Sequence, residues 1–533
     1  MLKKTFILFL CLVILPGCGK RFFDSGGTAY GDAIIDASIG DASRLNPLLA
    51  TDSASGDITE LVFNGLVKYD KDIKLVGDLA ESWDVSQDGL VITFHLRKGV
   101  KWHDGTEFTS GDVRFTYEKL IDPGIETPYS SRYEQVKSLE LPDSYTVRVS
   151  YSEPFAPALE SWGMGIIPRH LLADGDFNHS DFNRHPIGTG PYVFKEWVTD
   201  EKIVLEANPD YFEGMPRIAR YIYRIVPDQS VQLSELKKGS IDYMSLNSSQ
   251  YSMEKDVLSK KNGVNVYRYP SINSYNYMGY NLRHPVFKEK KVRQAIAHAI
   301  DKQGIIGAVI YGYGSVVTGP YPPTSWAYNK DVKGYVYDPE KAKQILKSLG
   351  WSDSDGDGVL DKDGVPFSFT LSTNQGNKER ELIATIVQEN LKKIGIDVKI
   401  RILEWSTFVN EYVDKKKFDA VILGWSLSMD PDQFSIWHSG QIEKGYNFVS
   451  YKNEEVDRLL EEGRRTFDQG KRMKIYHKFH AIVAEDQPYC FFYVRDAFPA
   501  VHKRFRGIKV EPVGIGHNFI KWYVPRNEQK YRM

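Results

Sequence analysis

The chain has 533 residues, 42% of them hydrophobic and 26% charged, with 68 lysines and arginines against 70 aspartates and glutamates and a formal net charge of −2. That composition belongs to a globular protein with room for about three domains, and the near balance of charge excludes the basic excess of a nucleic-acid-binding chain. Three cysteines exclude a disulfide scaffold.

The start of the chain predicts export. Lys3 and Lys4 precede an apolar run from Thr5 to Leu15, and Pro16, Gly17 and Cys18 follow. The run is shorter than the ~20 residues a membrane-spanning helix needs, so residues 1–17 read as a signal peptide. The LPGC ending resembles a bacterial lipobox, in which Cys18 is lipidated and becomes the first mature residue; ordinary cleavage without lipid is the alternative. Residues 18–28 then read as a tether, with ordered structure from about Ala29. Either way the mature chain is expected outside the cytoplasm, in the periplasm or on the cell surface, held to a membrane by lipid at Cys18 under the lipobox reading. Cys11 leaves with the leader, so Cys490 is the only free thiol. Its PYCFFY context predicts a buried, inert residue.

Along the mature chain, residues 90–103 and 143–151 predict antiparallel strands separated by Asp-Gly and Pro-Asp turns. Residues 288–302 carry Val292, Ala295, Ile296, Ala299 and Ile300 on one helical stripe, and a second helix over 339–349 opens on Pro339 and ends before Gly350. Residues 366–372 alternate as a strand. Leu382, Ile383, Ile386, Val387, Leu391 and Ile394 then recur at helical spacing, and Ile396, Val398, Ile400 and Ile402 alternate again. Strand, helix and strand with short joints predict a parallel crossover unit. The run FDAVILGW at 418–425 is almost wholly apolar, as a strand covered on both faces is. Two further helices are predicted at 453–464 and 468–485. The fold class is therefore α/β with mixed α+β character, in several lobes.

Ligands in open α/β sheets bind beyond the carboxyl ends of strands. The strand at 418–425 leads into SLSMDPDQF, which makes Trp425, Ser426, Ser428, Asp430 and Asp432 candidates to face a crevice. Trp425 offers an apolar plate with one N–H donor, the serines donate and accept, and the carboxylates suit an ammonium group. For Asp430 and Asp432 the alternative is a capping role before a short helix at 432–438.

Six blocks of the chain carry a family resemblance. They are LVGDLAESWDVSQDGLVITFHLRKGVKWHDGTEFTSGDVRFTYEKL within 74–120, GTGPYVF at 188–194, YNLRHPVFKEKKVRQAIAHAID at 280–301, LKKIGIDVKIRILEW at 391–405, FDAVILGWSLSMDPD at 418–432 and YNFVSYKNEEVDRLL at 446–460. Together they resemble the family 5 extracellular solute-binding proteins, the peptide and nickel-type receptors of ABC importers. The resemblance implies a periplasmic-binding-protein type II clamp of two lobes with an additional domain in the first. Domain I takes residues 29–55, 188–272 and 496–533, domain II residues 56–187 and domain III residues 273–495. The implied hinge crossings lie near 271–274 and 494–497.

The resemblance further implies a monomeric, non-enzymatic receptor without cofactor or metal that captures peptides and delivers them to a membrane permease. In the family's peptide receptors an aspartate shortly after a Gly-Trp pair holds the peptide's ammonium group. Counted from Gly424 and Trp425, that position here is Ser428 or Met429, so Asp430 or Asp432 is left as a displaced substitute. This favours a longer peptide gripped by its backbone over a dipeptide or tripeptide. An oligosaccharide or a metal chelate is an alternative ligand, and a secreted hydrolase is the rival class. The early loop, with Ser43 and Arg44, and the first strand of the second lobe match other ligand-contacting segments. In that strand either Tyr275 and Tyr277 or Asn276 faces the ligand, because neighbouring residues alternate between faces.

Two motifs remain. Asp353, Asp355, Asp357 and Gly358 resemble the start of a calcium loop, but Gly364 stands where a bidentate glutamate is needed, so a polar turn is expected. His477 and His480 share a helix face without a third metal ligand. No H-E-x-x-H, G-x-S-x-G or Walker A motif occurs.

Overall fold

The computed structural model describes residues 29–531. The leader, the tether and Cys18 lie outside the described residues. Among those described, no helix is long and apolar enough to cross a membrane.

Two seven-stranded sheets organise the molecule into the two-lobed clamp that the resemblance implies. The first runs in the order Val264–Val266, Pro499–His502, Tyr243–Ser245, Ala33–Ser38, Arg220–Ile225, Lys202–Ala207 and Tyr192–Val198. Beside it lies a four-stranded antiparallel sheet, Ala80–Val85, Val91–Leu96, Thr146–Tyr151 and Val136–Asp143. This is the additional unit of the first lobe. It does not pack as a separate body, because one continuous core joins Phe94, Leu96 and Trp162 to Ile34, Tyr192, Leu205 and Trp522.

The second sheet holds Tyr269–Pro270, Tyr489–Ala497, Ser274–Tyr280, Ala420–Ser426, Ser368–Asn374 and Asp397–Leu403, with Gly314–Val316 on the flank of Tyr489–Ala497. The predicted crossover unit is present. Ser368–Asn374 and Asp397–Leu403 pair in parallel, joined by the helix Lys378–Lys392, whose Ile383, Ala384, Val387 and Leu391 are buried. Ala420–Ser426 lies at the centre of the sheet. Its Ala420 and Ile422 enter one core while Val421 and Leu423 enter another, which is why the run is apolar without alternation. Cys490 is fully buried in the neighbouring strand, and burial pushes its thiol up.

The chain passes between the sheets twice, side by side. Tyr269–Pro270 pairs antiparallel with Asp496 and Ala497 just before the chain enters Ser274–Tyr280. The return passes through Phe498, buried beneath the Tyr251 ring at 4.2 Å, and enters the first sheet at Pro499. Two short, paired crossings make a narrow covalent connection of the kind about which hinged lobes turn.

The helix Ser53–Val62 spans the expected domain boundary between residues 55 and 56, so that division falls inside an element. Asp52 caps it by accepting from the Ser55 backbone N–H, and Ala54, Ser55, Ile58, Thr59 and Val62 form the buried face. Asp57 and Glu60, three residues apart, project from the other face.

Candidate ligand-binding cleft

A cavity of about 1250 Å³ lies between the lobes. The first lobe contributes the helix from Asp52 to Glu60, Tyr69, Tyr129, Arg132 and Glu160; the second contributes Asn276, Arg380, Trp405, Trp425, Ser426 and Tyr446. Contacts between the lobes hold the two walls together. Arg132 Nη2 donates to Ser428 Oγ at 2.9 Å, the Asp430 backbone N–H donates to Glu160 Oε2 at 3.0 Å, and Arg464 Nη1 donates to the Ser131 carbonyl at 2.8 Å. Arg465 with Glu153 and Lys444 with Glu134 add ion pairs at 2.5 Å. Deeper in, Trp405 packs where a side chain on Gly40 would stand, within 2.7 Å of an ideal Cβ. The residue opposite Trp405 can therefore only be glycine if the lobes are to meet in this way.

Trp425 forms part of the cavity wall. Its ring stacks on Phe448 at 5.7 Å and meets Tyr446 edge-on at 5.5 Å, and its Nε1 donates to Tyr489 Oη at 3.3 Å. The N–H foreseen as a ligand donor is thus already engaged, which leaves the half-buried ring face as the contact surface. Ser426 opens fully into the cavity, whereas Ser428 is taken by Arg132 in the closed state.

The two aspartates after the strand are not free carboxylates. Arg472 clasps Asp430 through two bonds of 2.5 and 2.7 Å. Arg464 clasps Asp432 with its Nε at 3.0 and 3.1 Å and its Nη2 at 2.7 Å. Burial opposes ionisation of Asp432, but the Arg464 guanidinium outweighs it and holds the carboxyl below its usual range. Both line the cavity, but each has a bidentate internal partner that ties it into its loop.

Tyr275 and Tyr277 are 0% and 1% exposed. They form the aromatic floor under the wall, with Tyr277 stacked on Tyr489 at 3.9 Å, and present no open ring to a ligand. Asn276, on the opposite face of the strand, is partly open and stands beside Gly424 and Arg380. Of the two alternatives for this strand, the accessible side chain is the asparagine. The early loop also departs from expectation. Ser43 bonds to Asp52 and Ser55, and Arg44 pairs with Glu126 at 3.6 Å, so neither reaches the cavity wall. The helix that follows them supplies the wall instead.

Residues that sequence reasoning missed carry much of the charge. Arg380 is enclosed, donates to Asn374 Oδ1 at 2.8 Å and leaves its Nε without a partner; burial pulls its guanidinium down. Burial and the Asp430 carboxylate push Glu160 up to about 7, against the pull of Arg132. Asp57 and Glu60 are open to the cavity yet walled in by protein around it. Burial, and for Asp57 the neighbouring Asp36 and Glu60 carboxylates, hold both above the usual range. The DITE stretch carries the only sequence signal, two acids three apart on a helix, which reads equally well as a solvated face.

Neither of the remaining motifs contributes to the cleft. His480 is buried and bonds through both ring nitrogens to the Asn329 backbone and Thr318. Asp353, Asp355 and Asp357 lie together and exposed, bonded to backbone N–H groups of their own loop.

Comparisons with known proteins agree with this architecture. Residues 74–446 match the model for bacterial extracellular solute-binding proteins, family 5. The chain is 39% identical to the oligopeptide-binding protein AppA of Bacillus subtilis, covering 98% of each. It is 31% identical to di/tripeptide-binding protein 1 of Pseudomonas aeruginosa, covering 91% of this chain and 93% of that one. It superposes on the structure of B. subtilis AppA in complex with a nonapeptide with a TM-score of 0.89 at 40% identity, covering 93% of this chain and 99% of the other. On NikZ from Campylobacter jejuni in complex with Ni(L-His) the TM-score is 0.83 at 31% identity, covering 92% and 99%.

Proposed function

Because the chain belongs to the bacterial extracellular solute-binding proteins of family 5, we propose that it captures peptides between its lobes and delivers them to the membrane permease of an ABC importer. The observation that carries this reading is the cavity of about 1250 Å³ built from both lobes. It exceeds the ~300–1,000 Å³ of pockets that hold drug-sized ligands, and so suits a peptide of several residues.

The wall chemistry supports the same reading. Aromatic faces at Trp425 and Tyr446 suit apolar side chains, while Asn276 and Ser426 suit backbone amides. Asp430 and Asp432, the carboxylates after the Gly424-Trp425 pair, are each engaged by an arginine, which supports a longer peptide over one held there by its ammonium end. The lining includes no histidine or cysteine to complete a metal complex, so peptides are preferred to a metal chelate. Closure follows from ligand contacts that exist only when the lobes meet.

Thermal melting against a peptide library tests this function, because a ligand that binds only the folded state raises the melting temperature. Stabilisation by peptides, with each peptide recovered at unchanged mass, is expected. Stabilisation by oligosaccharides alone would reassign the ligand, and steady cleavage would make the protein a hydrolase. The membrane attachment is a separate proposal: Cys18→Ser should abolish lipid labelling and leave unprocessed precursor.

A further inference from the structure

The carboxylates around the cavity fall into two groups. Most face a cation of the protein itself. Asp78 has Lys68 at 3.2 Å, Glu379 has Arg495 at 3.4 Å, Asp496 has Arg268 at 2.6 Å, and Asp430 and Asp432 have Arg472 and Arg464. Glu160 feels Arg132, and Asp414 feels Arg44 and Lys416. Asp57 and Glu60 differ. The charged groups acting on Asp57 are Asp36, Glu60 and Asp52, all acidic, and among the described residues its one favourable contact is the Tyr223 hydroxyl at 3.4 Å. Glu60 stands in the last turn of its helix, where the macrodipole is negative, and no basic residue occupies that turn.

This arrangement raises the energy of the ligand-free protein, and among the described residues the Tyr223 hydroxyl offsets it only for Asp57, with no cation beside either acid. Resting on the peptide reading above, we propose that the ligands are peptides bearing a cationic group that seats against Asp57 and Glu60, with Asp52 adding to the field. In an open clamp these acids are hydrated. Closure over a neutral ligand would strip water from like charges at i and i+3, whereas closure over a cation replaces that water with an opposite charge in a setting of low dielectric. The acids thereby make the closed state depend on the charge of the ligand. The cation is either the peptide's α-ammonium or a lysine or arginine side chain; both present the same chemistry to the two carboxylates.

Calorimetry with nine-residue serine–alanine peptides, the length bound by the AppA relative, separates the outcomes. One arginine is walked through the positions and compared with uncharged citrulline, each with a free or an acetylated N-terminus. At one position or at the N-terminus the charged form should bind about tenfold more tightly than its neutral counterpart. The Asp57→Asn/Glu60→Gln double variant should lose that preference, and Glu60→Gln alone should lose part of it, with cooperative melting showing that each variant folds. Loss on acetylation assigns the α-ammonium, and loss with citrulline assigns the side chain. Equal binding of charged and neutral peptides to the native protein, or a preference that survives in the double variant, overturns the inference while leaving peptide binding intact. Binding of no peptide at all overturns the peptide reading and this inference together.

Discussion

Two pairs of acidic residues face one cavity under opposite electrostatic conditions. Asp430 and Asp432, on the loop after the central strand of the second lobe, are each clasped by a guanidinium. Asp57 and Glu60, on a helix of the first lobe, have no guanidinium to clasp them: the charges acting on Asp57 are acidic, and Glu60 is raised by burial alone. The first pair is part of how the loop is built; removing a partner there should injure the fold. The second pair has one long hydrogen bond, from the Tyr223 hydroxyl to Asp57, against its burial and mutual repulsion, so removing its charge should help the fold while altering what binds.

Four measurements sharpen or break that contrast. The largest effect is expected from Arg464→Met, which strands the Asp432 carboxylate in an enclosed site and cuts the contact to Ser131. Breaking a buried pair in this way costs about 3–5 kcal/mol, and chemical denaturation should show it; a loss below 1 kcal/mol would mean the loop does not need the pair. Next, Trp425→Ala should weaken peptide binding by about 2 kcal/mol, equally for charged and neutral peptides, because it removes surface and not charge. A loss confined to charged peptides would contradict the division of labour between the two walls.

The third is Gly40→Ala, which places a methyl group in the space taken by Trp405 and holds the walls apart. A fall in affinity of about tenfold is expected, with unchanged melting of the ligand-free protein; scattering should show a more open particle at saturating peptide. Unchanged affinity would show that closure tolerates the extra carbon.

The smallest effect is a stabilisation. The carboxyls of Asp57 and Glu60 are held above their unfolded values, so the folded chain binds more protons than the unfolded chain between the ordinary carboxylate range near pH 4 and the raised folded values. Stability therefore falls as pH rises through that window. Asp57→Asn with Glu60→Gln should raise the melting temperature of the ligand-free protein by about 1–2 °C near pH 8, with the gain vanishing near pH 4. A fall in melting temperature near pH 8 would mean that the acids have a stabilising partner after all.

The contrast also explains which features could be read from the chain. The crossover unit was legible because Ile383, Val387 and Leu391 repeat at helical spacing between two alternating runs, and each is buried in the structure. The pattern misplaces flanking residues: Leu382 and Ile402 belong to predicted apolar stripes but are 43% and 48% exposed, since spacing marks a face without marking what covers it. Trp425 was legible as a wall residue from its place at a strand end. Asp430 and Asp432 were legible as acids near the cleft but not as neutralised ones, because Arg464 and Arg472 lie 32 and 42 residues away in sequence.

The sequence by itself determined many of the strands and helices through short-range periodicity, the family through its motif blocks and the clamp through that resemblance, and one aromatic wall of the cleft through a strand end. Tertiary structure alone decided which charges are cancelled and which stand alone. Coulomb interactions depend on distances between side chains far apart in sequence, and those distances exist only once the fold sets Arg464 on Asp432 and Arg472 on Asp430 and the helix from Ser53 to Val62 turns Asp57 and Glu60 toward the cavity.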